Sequence, residues 1–223
     1  MNLEGRFKAL LASLGPFIDA SFLQKWWKLV SESYGEGQSR HYHTLQHLSN
    51  MFELLDKVQA GLNDERRYQI LALSIFFHDV VYDPRRKDNE LRSNDVFRQF
   101  AAEARLEGHV SDRVCLYIEA TILHAIPEHA SEDGDLRMFL DFDLAILGMS
   151  SEMYDMYVLQ IRQEYSHIAD EAYLAGRAAV LRAFLARETL FFGQEMQEAY
   201  EEQARMNIKG EIKVLEGKIP IIG

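Results

Sequence analysis

Apolar residues recur along this chain at spacings of three and four instead of alternating, and that pattern predicts helices almost throughout. Phe17, Ile18, Phe22, Leu23, Trp26, Leu29 and Val30 form one such stripe over 17–33, after a short helical start. Trp26 and Trp27 are adjacent and so point in different directions, one expected in the core and the other at a rim. Gly35-Glu36-Gly37-Gln38-Ser39 reads as a loop by composition. A second stripe, Leu48, Met51, Leu54, Leu55 and Val58, predicts a helix from about His43 to Gln59, with His47, Met51 and Leu55 along one i, i+4 row. Gly61-Leu62-Asn63 breaks it, and Asn63 or Asp64 caps the next helix. There the run Ile70–Phe77 is apolar on every side, which places it at the centre of a bundle.

Past Pro84, Asp88-Asn89-Glu90 marks the capping region of a helix to about Leu106, closed by Gly108. Ser111 or Asp112 caps another, which passes Val114, Leu116, Ile118 and Ile122 to His124 and ends near Pro127. Leu136 to Leu147 is a short apolar helix with Gly148 as its C-terminal cap. Beyond Ser150 or Ser151 come helices of roughly Glu152–His167, Asp170–Arg187 and Gln194–Glu216. No Pro/Gly/Ser-rich linker and no internal repeat interrupts the series. The expectation is therefore an all-α fold, a single domain over 1–223 in which a core of about 40–148 carries the helices of 150–217. The last helix is expected either to fold back on the first or to pack on a second copy of the chain, as in a homodimer.

Composition narrows the function more than the fold. With 223 residues, 48% of them hydrophobic, the chain has ample material for a core. The single cysteine, Cys115, excludes an intrachain disulfide and sits in an apolar helical run as a small core residue. The N-terminus lacks the basic start and apolar stretch of a signal peptide, and no segment approaches the ~20 apolar residues of a bilayer span. A cytoplasmic protein with no membrane partner is expected. A formal net charge of -11 argues against a nucleic-acid polymer as partner. Arg85-Arg86-Lys87 is the one basic run, and offers a place for a small anion.

Candidate chemistry gathers at three places on this helical frame. The stretch Arg40–His47 sets His43 and His47 four residues apart, a spacing that projects both rings from one helix face. His78-Asp79 stands where the apolar run of the central helix stops, and Asp141 and Asp143 lie in another apolar run. Neutral imidazoles and hard carboxylate oxygens on separate buried helices are the donor set of a divalent metal. The residue types leave open which of His43 and His47, and which of Asp141 and Asp143, would bind it. Asp83 and Glu90 read as helix-capping residues or as carriers of a second, water-bridged ion. His41, His109, His129 and His167 are expected in solvent, and Arg162, Glu164, Arg177 and Arg205 in interhelical salt bridges.

The order of these elements resembles the HD superfamily of metal-dependent phosphohydrolases. The likeness lies in RHYHTLQH (40–47), in FFHDVVYD (76–83) with NELRSN (89–94) after it, in ATILH (120–124) and in LDFDLAILG (140–148). It is nearest to the bacterial group known only as predicted HD-superfamily hydrolases, with which the likeness continues through IRQEY (161–165) and EQARMNI (202–208). The resemblance implies a helical bundle of the HD-domain/phosphodiesterase type. It also implies one divalent ion (Mn, Mg, Co, Ni, Zn or Fe) on His47, His78, Asp79 and Asp143, with a second as an extension. His47 is preferred to His43 because the apolar positions after it match the family's spacing, and Asp143-Leu144 resembles the family's terminal Asp and apolar neighbour. RHYHTLQH is also similar to the YHxxxH of cyclic-nucleotide phosphodiesterases, in which the second histidine binds metal and the first protonates the leaving oxygen. On that likeness His43 is the proton donor and Asp79 both ligand and orienter of the attacking water. Arg40, Arg85, Arg86, Lys87 and His124 would then hold phosphate oxygens. The implied activity is hydrolysis of a small phosphorylated metabolite, a nucleotide or related phosphomonoester. The alternatives are a non-catalytic nucleotide-sensing module and a di-iron oxygenase, for which His124 is the one well-placed extra histidine.

Overall fold

In the computed structural model, which describes residues 2–15, 18–35, 40–62 and 64–218, every regular element among the described residues is a helix. Phe17, Asn63 and the expected loop residues Glu36–Ser39 lie outside the described residues. The chain divides into two compact units, Met1–Phe142 and Asp143–Gly223. The division falls a few residues before the end of the expected core of about 40–148.

The first unit is built from α1 (Leu3–Ser13), α2 (Ala20–Ser33), α3 (Leu45–Leu62), α4 (Glu65–Phe77), α5 (Asn89–Ala104), α6 (Gly108–Ala120) and α7 (Gly134–Leu144), whose last residues open the second unit. Asp64 caps α4 by accepting the Arg66 N–H at 2.8 Å. From Gln69 to Phe77 every residue of α4 is buried, and α3, α5 and α6 pack around it, which is the central place its unbroken apolar run demands. Aromatic rings fill the spaces between helices: Phe76 meets Phe52 at 4.7 Å and Phe7 edge-on at 4.9 Å, and Phe77 meets Phe100 at 4.8 Å. Each such ring is fully buried, a contribution of about 1.5–3 kcal/mol from removal of its surface from water. Trp26 belongs to this core and Trp27 stands at its rim, as adjacency on a helix requires.

Several helix boundaries depart from the periodicity. α3 starts at Leu45, two residues after His43, because Thr44 takes the capping role: its carbonyl accepts the His47 N–H at 3.0 Å and its Oγ1 the Gln46 N–H at 3.3 Å. α5 is closed by Arg105 in the left-handed region, φ 55, with the Leu106 N–H returning to the Ala101 carbonyl at 2.9 Å. Gly108 therefore opens α6 instead of closing α5, and α6 stops at Ala120, four residues short of His124. Cys115 is buried in α6, and burial raises its thiol above the ordinary range.

The second unit contains a 3-10 turn (Ala145–Gly148), α8 (Ser151–Glu164), α9 (Asp170–Leu185), the single turn α10 (Gln194–Met196), a π turn (Gln197–Glu201) and α11 (Glu202–Lys218). Ser150 caps α8. α11 packs on α9 and on the 3-10 turn around Leu147, Leu181, Phe191, Ala204 and Ile208. The π turn interrupts what periodicity reads as one helix from Gln194, and its last residue explains why. The Glu201 carboxylate accepts the backbone N–H groups of Leu190 and Phe191 at 2.9 and 3.2 Å while meeting the Arg205 Nε at 2.7 Å. Gly148 lies against the backbone of Tyr200 in that turn, so close that a Cβ there would sit 2.6 Å from the Tyr200 carbonyl oxygen. Arg177 on α9 and Glu211 on α11 form a buried ion pair at 2.8 Å, the interhelical role expected of Arg177.

No helix among the described residues is long and apolar enough to cross a membrane. His109, His129 and His167 are exposed, whereas His41 is half-buried.

Candidate metal centre

The end of α4 carries two of the candidate ligands. His78 is the C-cap of the helix, its N–H still bonded to the Ser74 carbonyl at 2.9 Å, so the ring leaves the core run at a fixed height. Only 1% of it is exposed. Its Nδ1 faces the Ile75 carbonyl oxygen at 3.0 Å. A carbonyl only accepts, so that bond places the proton on Nδ1 and leaves the Nε2 lone pair directed away. His47, on the inward row of α3, is 2% exposed and presents its own Nε2 to that of His78 at 3.3 Å. Asp79 completes the group, with Oδ2 at 3.3 Å from the same His78 nitrogen.

Ligand atoms of His47, His78 and Asp79 all lie within 4.8 Å of one another, and these three make up the one metal-capable group of three or more among the described residues. Their separations suit adjacent ligands of one divalent ion, since bonds of about 2.1 Å in a tetrahedral set leave ligand atoms about 3.4 Å apart. The carbonyl that orients His78 is the outer partner that a metal-binding imidazole ordinarily has. Donor types, spacing and tautomer thus fit a divalent cation.

His43 does not share a helix face with His47. It precedes α3, in a bend, and reaches the group by another route: its ring stacks on Tyr82 at 4.2 Å and 28° and its Nε2 lies 3.9 Å from Asp79 Oδ2. Tyr42 packs edge-on to His43 at 5.0 Å and tilted over His47 at 4.9 Å. The two histidines that spacing alone makes equivalent are therefore placed differently, one within the donor trio and one beside its carboxylate.

Arg40 is not open to a phosphate. It is buried, and its guanidinium donates to the carbonyls of His43 at 2.9 Å, Asp79 at 2.7 Å and Val80 at 3.3 Å, between the rings of Tyr34 and Tyr82. The basic run Arg85-Arg86-Lys87 is exposed, and Arg86 is closed onto Asp88 at 2.6 Å. The half-buried His124 adopts φ 44, an unusual left-handed conformation for a residue other than glycine. Its imidazole acts electrostatically on Glu90, as do Asp79 and His78. Burial raises the Glu90 carboxyl above the ordinary range and the charge of Asp79 adds to the rise. Asp83 caps no helix: its Oδ1 accepts the Arg85 N–H at 3.0 Å in the turn before α5, whose N-cap is Asp88, and Glu90 lies in the first turn of that helix.

Asp141 is fully buried in α7. Asp143, the expected fourth ligand, is partly exposed and begins the second unit.

Residues that periodicity did not single out hold the turn after Asp79. Asn89 brackets Asp83, accepting its N–H at 3.0 Å and donating to its carbonyl at 2.9 Å. Ser93 does the same for Val81 through Oγ, at 3.1 and 3.3 Å. Tyr34 accepts the Asp79 N–H at 3.1 Å. The available signal was the polar pair Asn89 and Ser93 one turn apart at the start of a helix, facing a loop that must be fixed.

No family model, no curated protein and no solved structure matches the chain.

Proposed function

We propose that this protein is a divalent-metal-dependent phosphohydrolase acting on a small phosphorylated metabolite, a nucleotide or related phosphomonoester. The observation that carries the reading is the buried convergence of His47 Nε2, His78 Nε2 and Asp79 Oδ2, with the His78 tautomer set by Ile75. The order of motifs shared with the HD superfamily supports it. A divalent cation bound there would lower the pKa of a coordinated water towards neutrality and polarise a phosphoryl oxygen.

The chain's own groups divide the remaining work. Asp79 accepts a hydrogen bond from the attacking water and orients it. As the water oxygen bonds to phosphorus and the ester P–O bond breaks, His43 gives its proton to the departing alkoxide. Tyr82, stacked on His43, fixes the plane of that ring. The Glu90 carboxyl, its pKa raised by burial and by the charge of Asp79, protonates more readily than usual.

Purified protein stripped of metal and reloaded with manganese, cobalt or nickel should hydrolyse members of a nucleoside monophosphate panel. Failure of every metal and substrate, together with no metal carried through purification, would remove the reading.

A further inference from the structure

Arg40 is a buried cation whose contacts converge on the two segments that carry the candidate chemistry. One guanidinium nitrogen donates to the carbonyl of His43, and the other to the carbonyls of Asp79 and Val80. The first bond spans three residues and the others 39 and 40, so a single planar group joins the lead-in to α3 to the turn after α4. Its Cζ lies over two rings that are themselves tied to the same residues. Tyr34, whose ring centre is 4.9 Å from the Arg40 Cζ, accepts the Asp79 N–H. Tyr82, at 5.2 Å, stacks on His43.

We propose that Arg40 is a positioning residue, which sets the separation between the His43 segment and the His78-Asp79 turn through its three carbonyl bonds and its two aromatic neighbours. This rests on the proposed function, and it assigns to Arg40 a role different from the phosphate contact that its sequence position suggests. A lysine cannot take over the role. Its ammonium is a point donor on a flexible stem, whereas the three carbonyls are held at the corners of a rigid fork. Removing the guanidinium leaves three carbonyls without their donor, takes away the filling between Tyr34 and Tyr82, and lets the carboxylate of Asp79 and the ring of His43 drift apart.

The test compares wild-type protein with R40K and R40A, each first confirmed as folded by circular dichroism in the metal-free state. The readouts are Mn²⁺ affinity by calorimetry and steady-state hydrolysis of p-nitrophenyl phosphate. The expected result is Mn²⁺ binding weaker by about 10–100-fold in both variants, the range for loss of an outer partner of a metal site. It comes with a comparable fall in kcat and little change in KM, and millimolar guanidinium added to R40A restores part of the affinity. R40K, which keeps the charge and most of the volume, carries the test if R40A does not fold. Unchanged Mn²⁺ affinity and kcat in the folded variants would overturn the proposal, as would a rise in KM alone, which would return Arg40 to the phosphate. Wild-type protein that binds no Mn²⁺ would remove the proposed function and this inference together, whereas tight binding shared by wild type and variants would remove this inference alone.

Discussion

The Nε2 atoms of His47 and His78 lie 3.3 Å apart, with the Nδ1 of His78 bonded to the Ile75 carbonyl at 3.0 Å. Two imidazoles 31 residues apart in sequence thus share one buried point, and the second is fixed in the tautomer that offers a lone pair there. The relationship separates the two histidines of the Arg40–His47 stretch. H47A should lose divalent-metal binding by at least the ~10–100-fold that loss of an outer partner costs. H43A should keep the metal while kcat falls by about 10²–10⁴, the usual worth of a general acid. Metal content by elemental analysis and kcat, read on both variants, check this. Equal metal loss in the two would return His43 to the ligand set.

Metal should stabilise the first unit. A cation that binds the folded trio and not the unfolded chain adds about 2.7 kcal/mol at a hundred times its Kd. Thermal unfolding monitored with and without Mn²⁺ should show Tm rising by several degrees, and EDTA should reverse it. H47A should show no such rise.

The Arg177–Glu211 pair of the second unit is buried, and the Tyr154 hydroxyl donates to the same carboxylate at 2.5 Å. Removing one charge strands the other, at a cost of about 3–5 kcal/mol. R177M and E211L should each unfold at markedly lower urea concentration than wild type, whereas the double variant R177M/E211L should recover much of the difference. Additive losses would show that the two residues act separately.

Gly148 faces the Tyr200 backbone in the π turn, and a methyl group there would stand 2.5 Å from the Tyr200 Cβ and 2.9 Å from its Cα. Backbone cannot yield as a flexible side chain does, so G148A should destabilise by about 1–3 kcal/mol, the range for overpacking. Chemical denaturation measures this, and a neutral outcome would mean that the turn can slide.

Acid should weaken the start of α7. The Asp133 carboxyl is partly desolvated, which raises its pKa, yet the N–H of Leu136, the Tyr117 hydroxyl and Arg113 outweigh this and hold it below the ordinary carboxylate range. A depressed folded pKa contributes stability that is present above the unfolded value, near 4, and is lost as pH falls through the folded one. D133N should therefore lose less stability between pH 6 and pH 3 than wild type does. An equal loss in both proteins would exclude Asp133 as the cause.

Periodicity alone determined the helical class, the central position of α4, the division of labour between Trp26 and Trp27, and the inward row of His47. Each depends on residues within about four positions of one another, the range over which a helix repeats. It also marked His78 and Asp79, because they stand where an all-round apolar run ends. Only the tertiary structure decided that α3 begins after His43, that Arg40 faces three carbonyls, and that Asn89 and Ser93 grip the turn beyond Asp79. The turn that Arg40 joins to His43 lies 39 residues further along the chain, and which donor meets which acceptor over that distance is fixed by how the lead-in of α3 packs on the end of α4. Local spacing carries no information about that meeting, so the sequence position of Arg40 predicts an anion contact where the structure shows three backbone carbonyls.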